Sequence, residues 1–210
     1  MARTVQKTAR VRTPQQNRAR RKVERLVSAA RSCFSRLGYA GTTMARIARE
    51  ADVSVGTAYS YFKDKDDVLQ TVLRAHAEEL LAPAEDETAA LPPKATLRAT
   101  LAKLMRGTVA FHEKHAGLHR VLLERVLEDP RLRSVSTALR ARGLDVSRRI
   151  ARQFGGAAAT RDVEATAQLF VGLLEFCVNI GLIYPSTVSR SRAVRVATDM
   201  IAAFFEKGNS

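Results

Sequence analysis

Residues 54–65 read SVGTAYSYFKDK, a short polar stretch that still carries Tyr59, Tyr61 and Phe62 within four positions. A helix of about two turns gains little from its own hydrogen bonds, so its role must lie outside itself. Ser54 stands where an N-cap belongs. Just upstream, TTMARIAREA (42–51) sets Met44, Ile47, Ala48 and Ala51 on one narrow apolar stripe behind a cap at Thr42 or Thr43. Two short helices joined by ADVS (51–54) form a helix-turn-helix, whose second helix enters a major groove while the first crosses the backbone. Gly56, with no side chain, lets the second helix approach a base edge or phosphate closely. Thr57 offers a methyl to thymine and a hydroxyl for hydrogen bonding. The hydroxyls of Tyr59 and Tyr61 and the charge of Lys65 suit phosphate oxygens. Phe62 faces the other way, into a small core with Ile47, Val53 and Leu69.

Working outward, Val23, Leu26, Val27, Ala30, Cys33, Phe34 and Leu37 recur at helical spacing, and Gly38 ends the run. Downstream, Asp64 caps a helix with the stripe Val68, Leu69, Val72, Leu73 and His76. Residues 83–93, PAEDETAALPP, are acidic and proline-bearing, and read as a helix-breaking linker or surface loop with the domain boundary there or slightly earlier. Three helices follow: one through Leu97, Leu101, Leu104, Met105 and Phe111, one after Gly117 through Val126, and one starting at Pro130. The tail holds two more, about 162–183 and 189–205. No stretch alternates as a strand, and the fold class is all-α.

The chain has 210 residues, with 35 Lys plus Arg against 21 Asp plus Glu and a net charge of +14. That excess calls for a polyanionic partner. Cys33 and Cys177 both sit in apolar periodic segments, a usage that fits free thiols in a reducing cytoplasm. The N-terminus has no apolar run of a secretory signal and reads as a basic arm: Arg3, Lys7, Arg10, Arg12, Arg18, Arg20, Arg21, Lys22 and Arg25 precede or open the first helical pattern, with Glu24 the one acid among them. From Ala167 to Tyr184 the chain is nearly all apolar, but Gln168, Glu175 and Asn179 interrupt it, as in a buried helix rather than a membrane span.

The run TTMARIAREADVSVGTAYSYFKDKDDVL (42–69) resembles the DNA-binding signature of the TetR family of bacterial transcriptional repressors. The resemblance implies about nine helices: a three-helix DNA-binding domain, then a helical ligand-binding and dimerisation domain. On this chain the divisions fall at 1–16 for a flexible arm, 17–63 for the DNA-binding domain and 64–210 for the rest, with 64–82 as connecting helix. Carried over by position, Val55, Gly56, Thr57 and Ser60 face bases, while Thr43, Ser54, Tyr59, Tyr61 and Lys65 touch phosphates of double-stranded DNA. Asp52 departs from the family's usual turn glycine. If that position is left-handed, Asp tolerates it at a cost of ~1 kcal/mol.

The resemblance also implies a homodimer formed through the last two helices and a small-molecule effector held in the C-terminal domain. Leu104, Met105, Phe111, His115, Leu122, Phe170, Leu174 and Cys177 are the expected cavity residues. His112, His115 and His119 would span an arc of ~60° on one continuous helix, but Gly117 and a helix break are expected between them, and no metal or cofactor is assigned. The leading function is a ligand-released repressor acting on a palindromic operator. The alternative is a constitutive or architectural regulator of the same fold. An enzyme is not expected, because no carboxylate or nucleophile joins the histidines in a recognisable constellation.

Overall fold

The computed structural model describes residues 14–155 and 162–206. Among them are nine helices: α1 (Pro14–Gly41), α2 (Met44–Glu50), α3 (Val55–Tyr61), α4 (Lys65–Ala89), α5 (Leu97–Lys114), α6 (Ala116–Glu128), α7 (Pro130–Phe154), α8 (Val163–Asn179) and α9 (Arg190–Glu206). Side-chain caps start most of them. Thr43 accepts from the Arg46 N–H, Ser54 from Thr57, Asp64 from Asp67, Thr96 from Ala99, Asp129 from Arg131 and Asp162 from Ala165. Each such cap stabilises its helix by about 1 kcal/mol. Pro130 occupies the first turn of α7, where its missing N–H costs nothing. No strand occurs among the described residues beyond an isolated Ile180–Tyr184 bridge.

Two apolar cores form. The first joins Leu26, Phe34, Ile47, Ala58, Phe62, Leu69 and Val72 to Leu118 and Val121 of α6 and Leu132 of α7. The helix-turn-helix therefore shares its core with the C-terminal region instead of enclosing one of its own. The second core packs α5, the end of α7, α8 and α9 around Met105, Ile150, Phe170, Ile201 and Phe205. Glu50 fixes α2 to α1 by accepting from Ser32 Oγ at 2.6 Å and Arg36 at 2.8 Å. The Ser32 hydrogen bond, then that of Arg36, holds its carboxyl below the usual range.

Three sequence expectations need correction. The stretch 83–93 does not begin as a loop, for α4 runs through Pro83 to Ala89. Proline removes one backbone donor, but Arg142 of α7 binds both Glu78 and Glu85, and buried Thr88 donates to the Ala84 carbonyl at 2.7 Å. Those contacts carry the helix past the break. At the other end, α1 already begins at Pro14, so Arg18, Arg20, Arg21, Lys22 and Arg25 lie on a helix and not on a free arm. Pro14 suits a first helical position, and the Gln and Arg residues behind it are good helix formers. The basic residues of 1–12 lie outside the described residues. Finally, α8 stops at Asn179, where Gly181 turns the chain with φ 71°.

Candidate nucleic-acid interface and effector cavity

α3 divides cleanly by exposure. Ala58 is fully buried and Phe62 nearly so, whereas Val55, Gly56, Tyr59 and Ser60 are exposed and Thr57 is half-buried. The buried pair fixes the helix on Ile47 and Leu69 and turns the other residues outward together. Ser54 Oγ caps the Thr57 N–H at 3.1 Å and lies 2.8 Å from Thr57 Oγ1, while Ser60 Oγ donates to the Thr57 carbonyl at 2.7 Å. Each hydroxyl keeps lone pairs for an outside donor. Thr43 is exposed at the head of α2. Tyr61 differs from Tyr59: its ring is half-buried against the first core.

The turn between α2 and α3 contains a residue pair that the sequence alone did not reveal. Asp52 has φ 51°, the left-handed conformation its position raised as a question. Arg25 of α1 meets it, donating from Nη2 to the Asp52 carboxylate at 3.0 Å, to its carbonyl at 2.9 Å and to the Ala51 carbonyl. The guanidinium thus caps the last carbonyls of α2 and offsets the negative charge at the turn.

Lys65 is more committed than its position in the motif suggested. Its ammonium donates to the carbonyls of Tyr39 at 3.0 Å and Thr42 at 3.3 Å, and stands 3.9 Å from the centre of the Tyr39 ring. Arg125 of α6 lies 4.1 Å from the same ring centre and 3.6 Å from Asp66. Burial, then the 2.5 Å hydrogen bond to Asp66, pushes the Tyr39 hydroxyl up to about 12. Tyr39 is therefore where α1, α4 and α6 join.

Beyond this joint lies a cavity of about 480 Å³ between α4 and α9 in chain order, lined chiefly by Leu, Val, Ile and Phe. That volume is within the range of sites for small organic ligands, roughly 300–1,000 Å³. Leu104, Met105, Leu122, Phe170 and Leu174 are in its wall, together with Leu73, Leu80, Val126 and Leu139 of α4, α6 and α7, which were not among the expected cavity residues. Phe111, His115 and Cys177 are not. Phe111 and His115 turn toward His76, with ring centres 4.6 and 5.4 Å from it, and Cys177 is only 1% exposed in the second core.

The histidines also depart from expectation. The helix break falls at His115, which ends α5 and begins α6, so Gly117 lies inside α6. Only one residue separates the helices, and His112 and His119 still face each other with ring centres 4.3 Å apart. His76 of α4 completes the group, 6.0 Å from His112. Burial pushes the imidazoles of His76 and His112 down to about 3, and those of His115 and His119 below their ordinary value. Among the described residues no group of three or more His, Cys, Asp or Glu has the geometry to hold a metal ion.

Gly117 serves a different purpose. A Cβ there would stand 2.2 Å from the backbone oxygen of Ser35, so glycine is what allows α6 to lie against α1.

Residues 26–72, spanning the end of α1 through the first turns of α4, match the family of bacterial regulatory proteins described as the tetR family. Over those residues the chain is similar to the TetR family. Over 49 residues it is 53% identical to the transcriptional regulator HbdR of Aromatoleum, a match covering 23% of this chain and 21% of HbdR. The chain thus aligns with about a fifth of that regulator's length. The fold extends further. A TetR-family regulator from Mesorhizobium loti superimposes with a TM-score of 0.72 at 23% identity, over 92% of this chain and 99% of that one. The regulator FadR of Bacillus subtilis, solved with stearoyl-CoA, does so with a TM-score of 0.66 at 19% identity, over 86% and 98% of the two chains. These relatives are transcriptional regulators, not enzymes. No described helix is long and apolar enough to cross a membrane.

Proposed function

We propose that this protein is a ligand-responsive repressor of the TetR family that binds a palindromic operator as a homodimer and is released by a small, mainly apolar effector. The observation that carries the reading is the division of α3, with Ala58 and Phe62 buried while Val55, Gly56 and Ser60 are exposed and Thr57 half-buried; we assign that outer face to a major groove and the exposed Thr43, Ser54 and Tyr59 beside it to phosphates. Two further features support it. Leu169 and Phe176 of α8 and Val196, Met200 and Phe204 of α9 are exposed, a seam that a second copy would cover. The apolar cavity suits a ligand with an extended hydrocarbon part, as the acyl chain is in the stearoyl-CoA complex of FadR of Bacillus subtilis.

The route between the two sites runs along α6. His119, Leu122 and Val126 of that helix line the cavity, while Gly117 and Arg125 bear on Ser35 and Tyr39 of α1. An effector that favours another position of α6 shifts the spacing of the two reading heads away from the roughly 34–36 Å between successive major grooves. A hundredfold loss of DNA affinity requires ~2.7 kcal/mol of differential binding.

The test is a titration of the protein with its own promoter fragment, at two salt concentrations and with candidate effectors. A dimer at micromolar concentration is expected, with affinity falling roughly 10³- to 10⁵-fold from 50 to 200 mM salt for 6–10 phosphate contacts. Phe204→Asp should give monomers with unchanged helical content and much weaker operator binding. A monomeric wild type, or a dimer whose DNA affinity no cavity-bound compound alters, would leave a constitutive regulator instead.

A further inference from the structure

The four histidines of the chain gather at one end of the cavity, and three of them, His76, His112 and His119, are part of its wall. Three other polar groups in that wall have partners within the protein. Arg140 is paired with Glu175, Ser147 donates to the Gly143 carbonyl at 3.2 Å, and the Asn179 amide donates to the Glu175 carbonyl at 2.9 Å. Because Asn179 donates there, its Oδ1 faces His119 Nε2 at 3.1 Å, and Nε2 is the nitrogen that carries the proton.

His76 stands in contrast. It is 4% exposed, and neither ring nitrogen has a hydrogen-bond partner in the protein; Nδ1 of His112 has none either. Buried polar atoms are rarely left in that state outside functional sites. A half-turn of the His76 ring about Cβ–Cγ exchanges its nitrogen and carbon edges with little change in packing, so the ring can offer a nitrogen to the cavity.

Desolvation keeps both imidazoles neutral at ordinary pH. A neutral imidazole presents one N–H and one bare nitrogen. A group that both donates and accepts, as a hydroxyl does, can match either tautomer of each ring. A carboxylate or an ether only accepts, and a quaternary ammonium does neither. A cation would also find no counter-charge in Glu79, Glu113 or Glu175, each of which is already paired with an arginine. The 6.0 Å between the His76 and His112 ring centres is a span that one oxygen hydrogen-bonded to both at ~2.8 Å can bridge once the rings rotate to turn a nitrogen each to the cavity.

We propose that the cavity binds an elongated, mainly apolar molecule bearing a hydroxyl group, held between His76 and His112, with its body against Leu104, Leu122, Phe170 and Leu174. This rests on the reading that the cavity is the effector site, and it names the head group that site selects.

The test uses the full-length protein and four probes of equal chain: 1-decanol, decyl methyl ether, decanoate and decyltrimethylammonium, with binding followed by calorimetry. Decanol should bind roughly 10-fold more tightly than each of the others, the usual worth of a matched buried hydrogen bond. That ratio should collapse in His76→Phe and His112→Phe. Should a variant fail to fold, ¹⁵N resonances of the wild-type histidine rings supply a second measurement, shifting with decanol and not with the ether. A preference for decanoate or the ammonium, a ratio unchanged in both variants, or stoichiometric Zn²⁺ uptake that excludes decanol would overturn the assignment. Release of operator DNA is scored separately. Decanol that binds with this preference yet releases no DNA removes the effector reading and leaves the head-group assignment standing. DNA release by an apolar compound indifferent to His76 and His112 does the reverse.

Discussion

In the helix-turn-helix, Thr43, Ser54 and Ser60 each hydrogen-bond within one turn of their own helix, and the left-handed Asp52 is held by Arg25 from α1. In the cavity wall, His76 sits among apolar side chains with both ring nitrogens unmatched, and the group it belongs to is assembled from α4, α5 and α6. The first region is finished and presents a fixed face. The second keeps unmet polar capacity, as a region does when its final partner arrives from outside. The hydrogen-bonded helix-turn-helix and the unmatched cavity wall are separated by little more than the Tyr39 joint.

Acid should break this contrast most strongly. All four histidines lie beyond α3, so their protonation acts on the cavity end and spares the helix-turn-helix. The folded-state values of His76 and His112 are pushed down to about 3 from an ordinary 6.5. The unfolded chain therefore binds more protons between those limits, and the stability these groups contribute is complete above pH 6.5 and lost as pH falls toward 3. At pH 5 the loss reaches about 2 kcal/mol for each group. Hydrogen exchange should show α5 and α6 opening before α2 and α3 as pH drops from 7 to 5, and His76→Phe should flatten the response. Uniform opening of both regions would contradict it.

The same contrast explains what could be read before the structure. Caps and short apolar stripes are local, so Ser54 and Asp64 marked α3 and α4 correctly, Thr43 proved to be the α2 cap of the two threonines offered, and Phe62 was placed in the core. The pairing of Arg25 with Asp52 escaped notice because the two are 27 residues apart. Five of the eight expected cavity residues are in the wall, yet Phe111, His115 and Cys177 are on neighbouring faces, since an apolar helix does not declare which side meets a cavity. Pro83 signalled a break that Arg142, 57 residues beyond Glu85, overrides. His76 left one trace, a histidine closing an otherwise apolar stripe. Its company with His112 depends on how α4 crosses α5, which no local pattern encodes.

Gly117→Ala tests the contact between the two regions. The new Cβ would meet Ser35 O at 2.2 Å and Ser35 C at 3.0 Å, backbone atoms that can yield only if α6 moves away from α1. Overpacking of this kind costs about 1–3 kcal/mol, and in a chain of this size that lowers the Tm by roughly 2–4 °C per kcal/mol. Operator affinity should fall as well, because α6 also holds Tyr39 through Arg125. Gly107→Ala is the control: nothing lies within 4 Å of its Cβ, and helical alanine should stabilise α5 by about 0.5–1 kcal/mol. Equal melting of the two variants would show that α1 and α6 are not in close register.

The smallest effect belongs to Asp52→Gly, and its value lies in separating stability from DNA binding. Glycine removes the left-handed cost of ~1 kcal/mol. Against that, it adds about 0.5–1 kcal/mol of unfolded-state entropy and deletes an ion pair with Arg25 that, with the carboxylate 97% exposed, is worth little. These terms nearly cancel, so melting should change by no more than about 0.5 kcal/mol. Arg25 would still donate to the Ala51 carbonyl, preserving the turn. The charge, however, is gone from a turn that the proposed docking sets near the phosphates. One unit charge at ~4 Å in water amounts to ~1 kcal/mol, so operator affinity should rise by up to about fivefold at low salt, and the gain should fade as salt is added. A large stability change with unaltered DNA affinity would place Asp52 away from the DNA and make its contact with Arg25 purely structural.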